Sequence, residues 1–300
     1  MSIRGTTAVV VLAFGMLTAC SPGTPAAAPA SSSSRPSPSS STPTGTAAAG
    51  VPTPDHVMVV IFENEDAENV VGGAQAPYLT SLAGQGLTFT DAHGERHPSE
   101  PNYLALFSGS TQGVVDDSCP LSFSGPNLAA QLAAAGRSFV GYSEDLPSPG
   151  YTGCHAGRYA RKHNPWVNFD GLPASVNQPY SAMPANLADL PTVSFVVPNL
   201  CNDMHDCGVA AGDRWAKSHL PAYVTWAQQH NSLLVITFDE DNGSSANHIA
   251  TVLVGPMVVP GTSAQRVDHY NLLRTLEDMY GLPPLGQAAD AEPLSGIWMG

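Results

Sequence analysis

The sequence predicts an α/β fold class, a mostly parallel sheet sandwiched by helices, and three observations predict it. Short apolar runs rich in β-branched residues alternate with longer stretches of helical spacing, the pattern of repeated strand–helix units. The runs at 56–62 and 232–238 are apolar at successive positions rather than at alternate ones, as strands covered on both faces require. Both runs end abruptly in acidic and amide side chains, Glu63-Asn64 and Asp239-Glu240, and functional groups in such sheets gather at the carboxyl ends of strands.

Taken in order, 56–62 reads as a strand. Residues 77–85 have helical spacing through Leu79, Leu82 and Ala83, with Gly86 as the stop. A short strand follows at 87–90. Residues 99–107 read as a helix with Pro101 in its first turn, where a missing N–H costs nothing. An Ala-rich helix spans 126–135 and closes at Gly136. Strands are expected at 138–142 and 192–197. Residues 213–229 carry Trp215, Leu220, Tyr223 and Trp226 at amphipathic spacing and predict one long helix. Strands at 232–238 and 251–254 and a helix at 270–280, closed by Gly281, complete the series; no internal repeat is present.

The domain proper is expected at 55–300. Before it, Arg4 and the apolar run 8–17 form a targeting segment too short to span a bilayer comfortably. The run leads into Leu17-Thr18-Ala19-Cys20, which resembles a bacterial lipobox, so residues 1–19 are expected to be a cleaved lipoprotein signal peptide and Cys20 the lipidated residue. Residues 20–54 contain almost only Ser, Pro, Thr, Ala and Gly after Cys20, with no large apolar side chain before Val51. A disordered stalk is expected there. The expected location is therefore extracytoplasmic, on the membrane through a lipid anchor alone. The formal charge of −14 includes Arg4 and Arg35, so the domain stands near −16. Such a surface argues against nucleic acid as a partner and leaves a small anionic substrate admissible only where a metal or local cations offset the field. The oligomeric state is left open. Setting Cys20 aside, Cys119, Cys154, Cys201 and Cys207 allow three pairings; Cys201–Cys207, a short local loop, with Cys119–Cys154 is the expected one outside the cytoplasm. A zinc cluster is disfavoured because no CxxC pair occurs.

Three constellations carry chemistry. Glu63, Asn64, Asp239 and Glu240 would repel one another at adjacent strand tips without a cation, and their hard oxygens suit Ca²⁺, Mg²⁺ or Mn²⁺ better than Zn²⁺. In His97-Pro98-Ser99-Glu100-Pro101-Asn102-Tyr103, Ser99 sits at a helix start, where backbone amides favour an anion, although serine there is equally at home as an N-cap. His97 and Asn102 flank it as candidate phosphate contacts. In Cys201-Asn202-Asp203-Met204-His205-Asp206-Cys207, a clamped loop would hold His205 to orient a phosphate or protonate a leaving alkoxide. Lys162, His163 and His248 are further candidates for gripping phosphate oxygens, whereas His269, at a helix start, reads as structural. The absence of GxxxxGK[ST], of GxGxxG after a strand, of HExxH and of GxSxG removes the common NTPase, dinucleotide, zincin and α/β-hydrolase readings.

With these residues assembled, the chain resembles the bacterial phosphoesterase family of acid phosphatases and phospholipases C, within the alkaline-phosphatase-like superfamily. The resemblance rests on Val60-Ile61-Phe62-Glu63-Asn64, the His97 to Gly109 segment, Lys162-His163-Asn164-Pro165 and Pro198 to Cys207. It continues through Gly212-Asp213-Arg214-Trp215, Phe238-Asp239-Glu240-Asp241 and Asn271 to Asp278, and covers about 57–282. It implies an alkaline-phosphatase-like core and Ser99 as nucleophile, passing through a phosphoseryl intermediate. It also implies one divalent metal held by Glu63, Asn64, Asp239, Glu240 and the Ser99 oxygen, with phosphate contacts from His205 and His248. Two departures bear on this. Glu65-Asp66 follows Glu63-Asn64 where the phospholipase C branch usually has Arg-Ser-Phe-Asp. The wider superfamily often has Asp-His where this chain has Asp239-Glu240, which favours one metal, Ca²⁺, Mg²⁺ or Mn²⁺ before Zn²⁺. The expected function is an acid phosphatase acting on small phosphomonoesters. The alternatives are a phospholipase C-type phosphodiesterase and a catalytically silent surface binding protein.

Overall fold

A computed structural model describes residues 50–299; the targeting segment, Cys20 and residues 21–49 lie outside the described residues. The strands, in chain order, are β1 (His56–Phe62), β2 (Leu87–Ala92), β3 (Phe139–Ser143), β4 (His155–Ala156), β5 (Tyr159–Ala160), β6 (Asn177–Pro179), β7 (Val193–Val197), β8 (Ser232–Phe238), β9 (Thr251–Val254) and β10 (Gly261–Val267). The helices are α1 (Ala67–Val70), α2 (Pro77–Gln85), α3 (Glu100–Ser108), α4 (Leu128–Ala134), α5 (Val209–His219), α6 (Pro221–Ala227) and α7 (His269–Tyr280). Among the described residues no helix is long and apolar enough to cross a membrane.

Eight strands form one sheet in the order β10-β2-β9-β8-β1-β7-β3-β6, while β4 and β5 make a separate small hairpin. All neighbours in the sheet pair in parallel except β9, which is antiparallel to both β8 and β2. The exception follows from its connection: no helix intervenes between β8 and β9, and a parallel return needs a crossover of a dozen or more residues, usually helical. The central strands are buried along their length, six of seven residues in β1 and all of β7 and β8. Alternation along β1 assigns its two faces. His56 and Phe62 meet Trp226 of α6 and Trp215 of α5, with ring centroids 5.6 and 6.0 Å apart. Val59 and its register partner Val235 line an apolar region on the other face with Leu106 of α3 and Leu272 and Leu276 of α7. Helices thus cover both faces, as continuous apolar strands demand.

Two features depart from the sequence reading, and the disulfides agree with it. The expected helix at 213–229 is two helices, because Pro221 lacks the N–H that would bind back and its ring clashes with the preceding turn; α5 also begins earlier, at Val209. Strands β6 and β10 occupy the sheet edges, where β10 is largely exposed and polar and β6 ends in Pro179, so neither carries an apolar run. Both expected disulfides, Cys119–Cys154 and Cys201–Cys207, are present.

Candidate active site

The site begins where β1 and β8 end. Phe62 lies in register with Phe238, so Glu63 and Asp239 leave the sheet side by side. The Asp239 N–H donates to the Phe62 carbonyl at 3.1 Å, and the Asn64 N–H donates to Asp239 Oδ1 at 3.2 Å. Asn64 has a left-handed φ of 51°, a conformation asparagine tolerates better than most residues and one that clusters at functional sites. From the next segment of chain, Gly94 passes so close that a Cβ there would sit 2.5 Å from the Asp239 carbonyl oxygen. Only glycine lets the loop leading to Ser99 approach this tip.

That loop delivers α3, all nine of whose residues are buried. Ser99 stands at its N-terminus yet makes no side-chain cap bond. Its hydroxyl turns instead toward Glu63 Oε2 at 3.0 Å and Glu240 Oε1 at 3.3 Å. Ser99 thus occupies the N-cap position of α3 without capping through its side chain. One turn later on the same helix face, the Tyr103 hydroxyl donates to Glu63 Oε1. Asn102, expected among the phosphate contacts, has a different task. Its Oδ1 accepts the Glu95 and Arg96 N–H groups at 2.8 and 3.0 Å, and its Nδ2 donates to the carbonyls of Arg96, Pro98 and Ser99. Its amide is saturated by the loop it braces and has nothing left for a ligand.

A second loop docks on the β1 tip. The Glu63 N–H donates to the Asp203 carbonyl at 2.8 Å, and Asp203 Oδ1 accepts the His205 N–H at 2.9 Å. His163 lies buried between Glu63 and Asp203, with Nε2 3.2 Å from Glu63 Oε1 and Nδ1 3.3 Å from Asp203 Oδ2. Its ring stacks on Tyr103, with centroids 5.2 Å apart. His163 is expected to contact phosphate; in the structure it is buried between two carboxylates. Neither Asp203 nor Tyr103 emerges from sequence as a site residue. The signals that point to them are the Cys201–Cys207 clamp and the four-residue spacing from Ser99.

Burial and mutual repulsion dominate the electrostatics. Glu63 is pushed well above the ordinary carboxylate range by burial and by the charges of Asp239 and Asp203. Asp203 is pushed well up by burial and the Asp239 charge, and Asp239 is raised to about 7 by burial and Glu240. Glu240 is raised by burial against the opposing effect of His97. Burial holds His163 well below its usual range, helped by the charge of Lys162. Within this cluster Asn64 Oδ1, Asp239 Oδ2 and Asp203 Oδ2 are buried with no hydrogen-bond partner. Converging carboxylates and orphaned oxygens of this kind fit a divalent cation, which would supply the missing ligand contacts and cancel the repulsion. Glu63, His163 and Asp203 can hold a metal ion, their ligand atoms lying within 4.8 Å of one another. This trio differs from the expected set of Glu63, Asn64, Asp239, Glu240 and Ser99: it shares Glu63, beside which lie the Ser99 hydroxyl at 3.0 Å and, through Ser99, Glu240 at 3.3 Å.

The remaining candidates divide. His97 Nδ1 donates to Glu240 Oε2 and its Nε2 lies 3.0 Å from the Ser244 carbonyl, so its ring orients a carboxylate rather than facing a ligand. Lys162 reaches toward the site, its Nζ 2.8 Å from Asp117 Oδ2. His205 is exposed beside His163, ring centroids 5.9 Å apart, with Nδ1 on Asp206 Oδ1 at 2.7 Å. His248 sits at the same sheet edge, but its Nε2 is 3.2 Å from the Thr90 carbonyl and its ring faces His93, so it is not drawn to Ser99. The Nε2 of His269 lies 2.9 Å from the Phe238 carbonyl oxygen, at the end of β8.

The fold and this site define an α/β protein in which a serine hydroxyl meets carboxylates at the tips of two adjacent strands. The fold is similar to that of a solved Vibrio parahaemolyticus protein of the alkaline phosphatase superfamily, with a TM-score of 0.56 and 14% identity over 84% of this chain and 73% of that one. More particularly, the chain belongs to the phosphoesterase family, whose family model matches residues 72–283. It is 51% identical over 254 residues to a phosphatidylinositol-3-phosphatase of Mycobacterium tuberculosis, spanning 84% of this chain and 85% of that protein. An acid phosphatase of Aspergillus fumigatus is 30% identical over 76% of this chain, which spans 55% of that relative's length. The protein is accordingly a phosphoric ester hydrolase.

Proposed function

We propose that this hydrolase is a metal-dependent acid phosphatase of phosphomonoesters that uses Ser99 as its nucleophile. The observation that carries the reading is the Ser99 hydroxyl held by Glu63 and Glu240 at the tips of two adjacent strands. Glu63, Asn64, Asp239, Glu240 and the Ser99 oxygen would hold the cation, and a bound divalent ion supplies charge for the developing alkoxide and the phosphate. Ser99 Oγ attacks phosphorus as its proton passes to the carboxylate that accepts its hydrogen bond, and the bond to the leaving alkoxide breaks. His205, at the rim, donates a proton to that alkoxide. Water then attacks the phosphoserine, releasing inorganic phosphate and restoring the Ser99 hydroxyl. Tyr103 holds Glu63 from behind, and His97 holds Glu240.

The likeness to a phosphatidylinositol-3-phosphatase supports a phosphorylated inositol lipid as one substrate. Release of phosphate from p-nitrophenyl phosphate and from phosphatidylinositol 3-phosphate, measured against phosphatidylcholine cleavage, tests the ester class. Dominant cleavage of phosphatidylcholine would overturn the monoesterase reading. Display outside the cytoplasm on a lipid at Cys20 is part of the same proposal, supported by the two disulfides. Cys20→Ala is expected to release the protein from membranes; retention there contradicts the anchor.

A further inference from the structure

Resting on the reading of the Ser99 pocket as the phosphate site, we propose that Asp117 is an internal stand-in for substrate phosphate. Its carboxylate occupies the phosphate donors at rest and must leave when substrate enters. Asp117 Oδ1 accepts the Glu100 N–H at 3.0 Å, and Oδ2 accepts from Lys162 Nζ at 2.8 Å. Glu100 directly follows Ser99, and its amide is the first-turn donor of α3 that points out of the helix. Pro101 has no N–H, and that of Asn102 is spent on the Ser99 carbonyl at 3.0 Å. Lys162 lies close enough to Glu63 and Asp239 to feel both charges. One carboxylate thus holds the helix-end amide beside the nucleophile and an ammonium within electrostatic reach of the strand tips, two donors that an arriving phosphate would use.

The pair is reachable from solvent: the Lys162 and Asp117 side chains keep 16% and 27% of their exposure. Asp117 also lies within electrostatic reach of Glu240 and Glu100. It therefore adds a further negative charge to a pocket that already gathers Glu63, Asp203, Asp239 and Glu240. A phosphate cannot take the same two donors while the carboxylate remains, because the anions would then be in contact. The loop carrying Asp117 is fixed two residues later at Cys119, whose disulfide to Cys154 ties it to the segment leading to Lys162. Asp117 is in this account a residue that sets affinity, not a catalytic one.

The test is titration of inorganic phosphate into the metal-loaded protein and its Asp117→Asn variant by calorimetry. Loss of the competing charge is expected to tighten phosphate about tenfold. Equal or weaker binding overturns the proposal, because a carboxylate that merely positions Lys162 would weaken phosphate when removed. The wild-type protein supplies a second readout that needs no variant. Hydrogen exchange across 113–118 is expected to speed up on adding phosphate; unchanged or slower exchange overturns displacement. Turnover of Ser99→Ala is measured in parallel. Persistent turnover there overturns the assignment of the pocket. Ser99-dependent turnover with unchanged phosphate affinity overturns the role of Asp117 alone.

Discussion

Helices α3 and α7 pack together on one face of the sheet, and each begins with a small polar residue ahead of an apolar stretch. At α7 that residue does what its type predicts. Asp268 accepts the Tyr270 and Asn271 N–H groups at 2.9 and 3.1 Å, the Asn271 side chain accepts the Asp268 N–H in return, and Gly281 closes the far end. At α3, Ser99 leaves the helix uncapped and gives its hydroxyl to carboxylates on two distant strand tips. The first-turn amide is served from another loop, by Asp117. One local signal therefore has two outcomes, and the partner found across the fold decides between them.

The contrast is broken most severely at Ser99. Ser99→Ala should lower kcat by about a thousandfold or more, with the melting temperature unchanged because no cap is lost. Steady-state kinetics and a thermal melt on one preparation check both halves, and retained turnover would remove the distinction between the helices. Next in size, Asp239→Asn should weaken binding of Mg²⁺, Ca²⁺ or Mn²⁺ and reduce turnover, and prolonged chelation of the wild-type protein should do the same. Cation titration by calorimetry reads the affinity directly. Equal affinity in wild type and variant would detach the strand tips from the metal.

The reverse experiment is made on α7. Asp268→Ala should cost about 1 kcal/mol of stability and leave kcat per folded molecule unchanged, as urea melts with parallel assays would reveal. The smallest effect concerns Glu277, buried in α7, whose Oε1 accepts the Leu285 N–H at 2.8 Å. Burial raises its pKa from the ordinary 4.5 to about 8. The folded protein therefore keeps a proton that the unfolded chain loses, and this group's effect is a fall in stability as pH rises from about 4.5 to about 8. Glu277→Gln should flatten part of that fall. Only part is removed, because burial pushes Glu95 up to about 8 as well. An unaltered pH profile of unfolding would show that Glu277 is ionised in the native state.

The same contrast explains what the sequence could reveal. Strands β1, β7 and β8 were readable because burial on both faces writes itself as continuous apolar runs, and the acidic clusters at 63–64 and 239–240 mark where β1 and β8 end. Edge strands β6 and β10 have one side in solvent and leave no such trace. Ser99 was visible as a candidate, but the choice between cap and nucleophile depends on Glu63 and Glu240, 36 and 141 residues away. Asn102 was misjudged because an amide beside the nucleophile looks like a ligand contact until its loop partners are known. Asp203 and Tyr103 act by facing Glu63 in space, a relation that spacing alone does not encode.

Rapid-quench mapping tests the central claim most directly. The metal-loaded protein is mixed with excess p-nitrophenyl phosphate, stopped in acid and digested, and its peptides are weighed. A phosphoryl group on the peptide carrying Ser99, absent when substrate is omitted, is the expected result. Full turnover with that peptide unmodified at every quench time, and with Ser99→Ala equally active, would contradict the account.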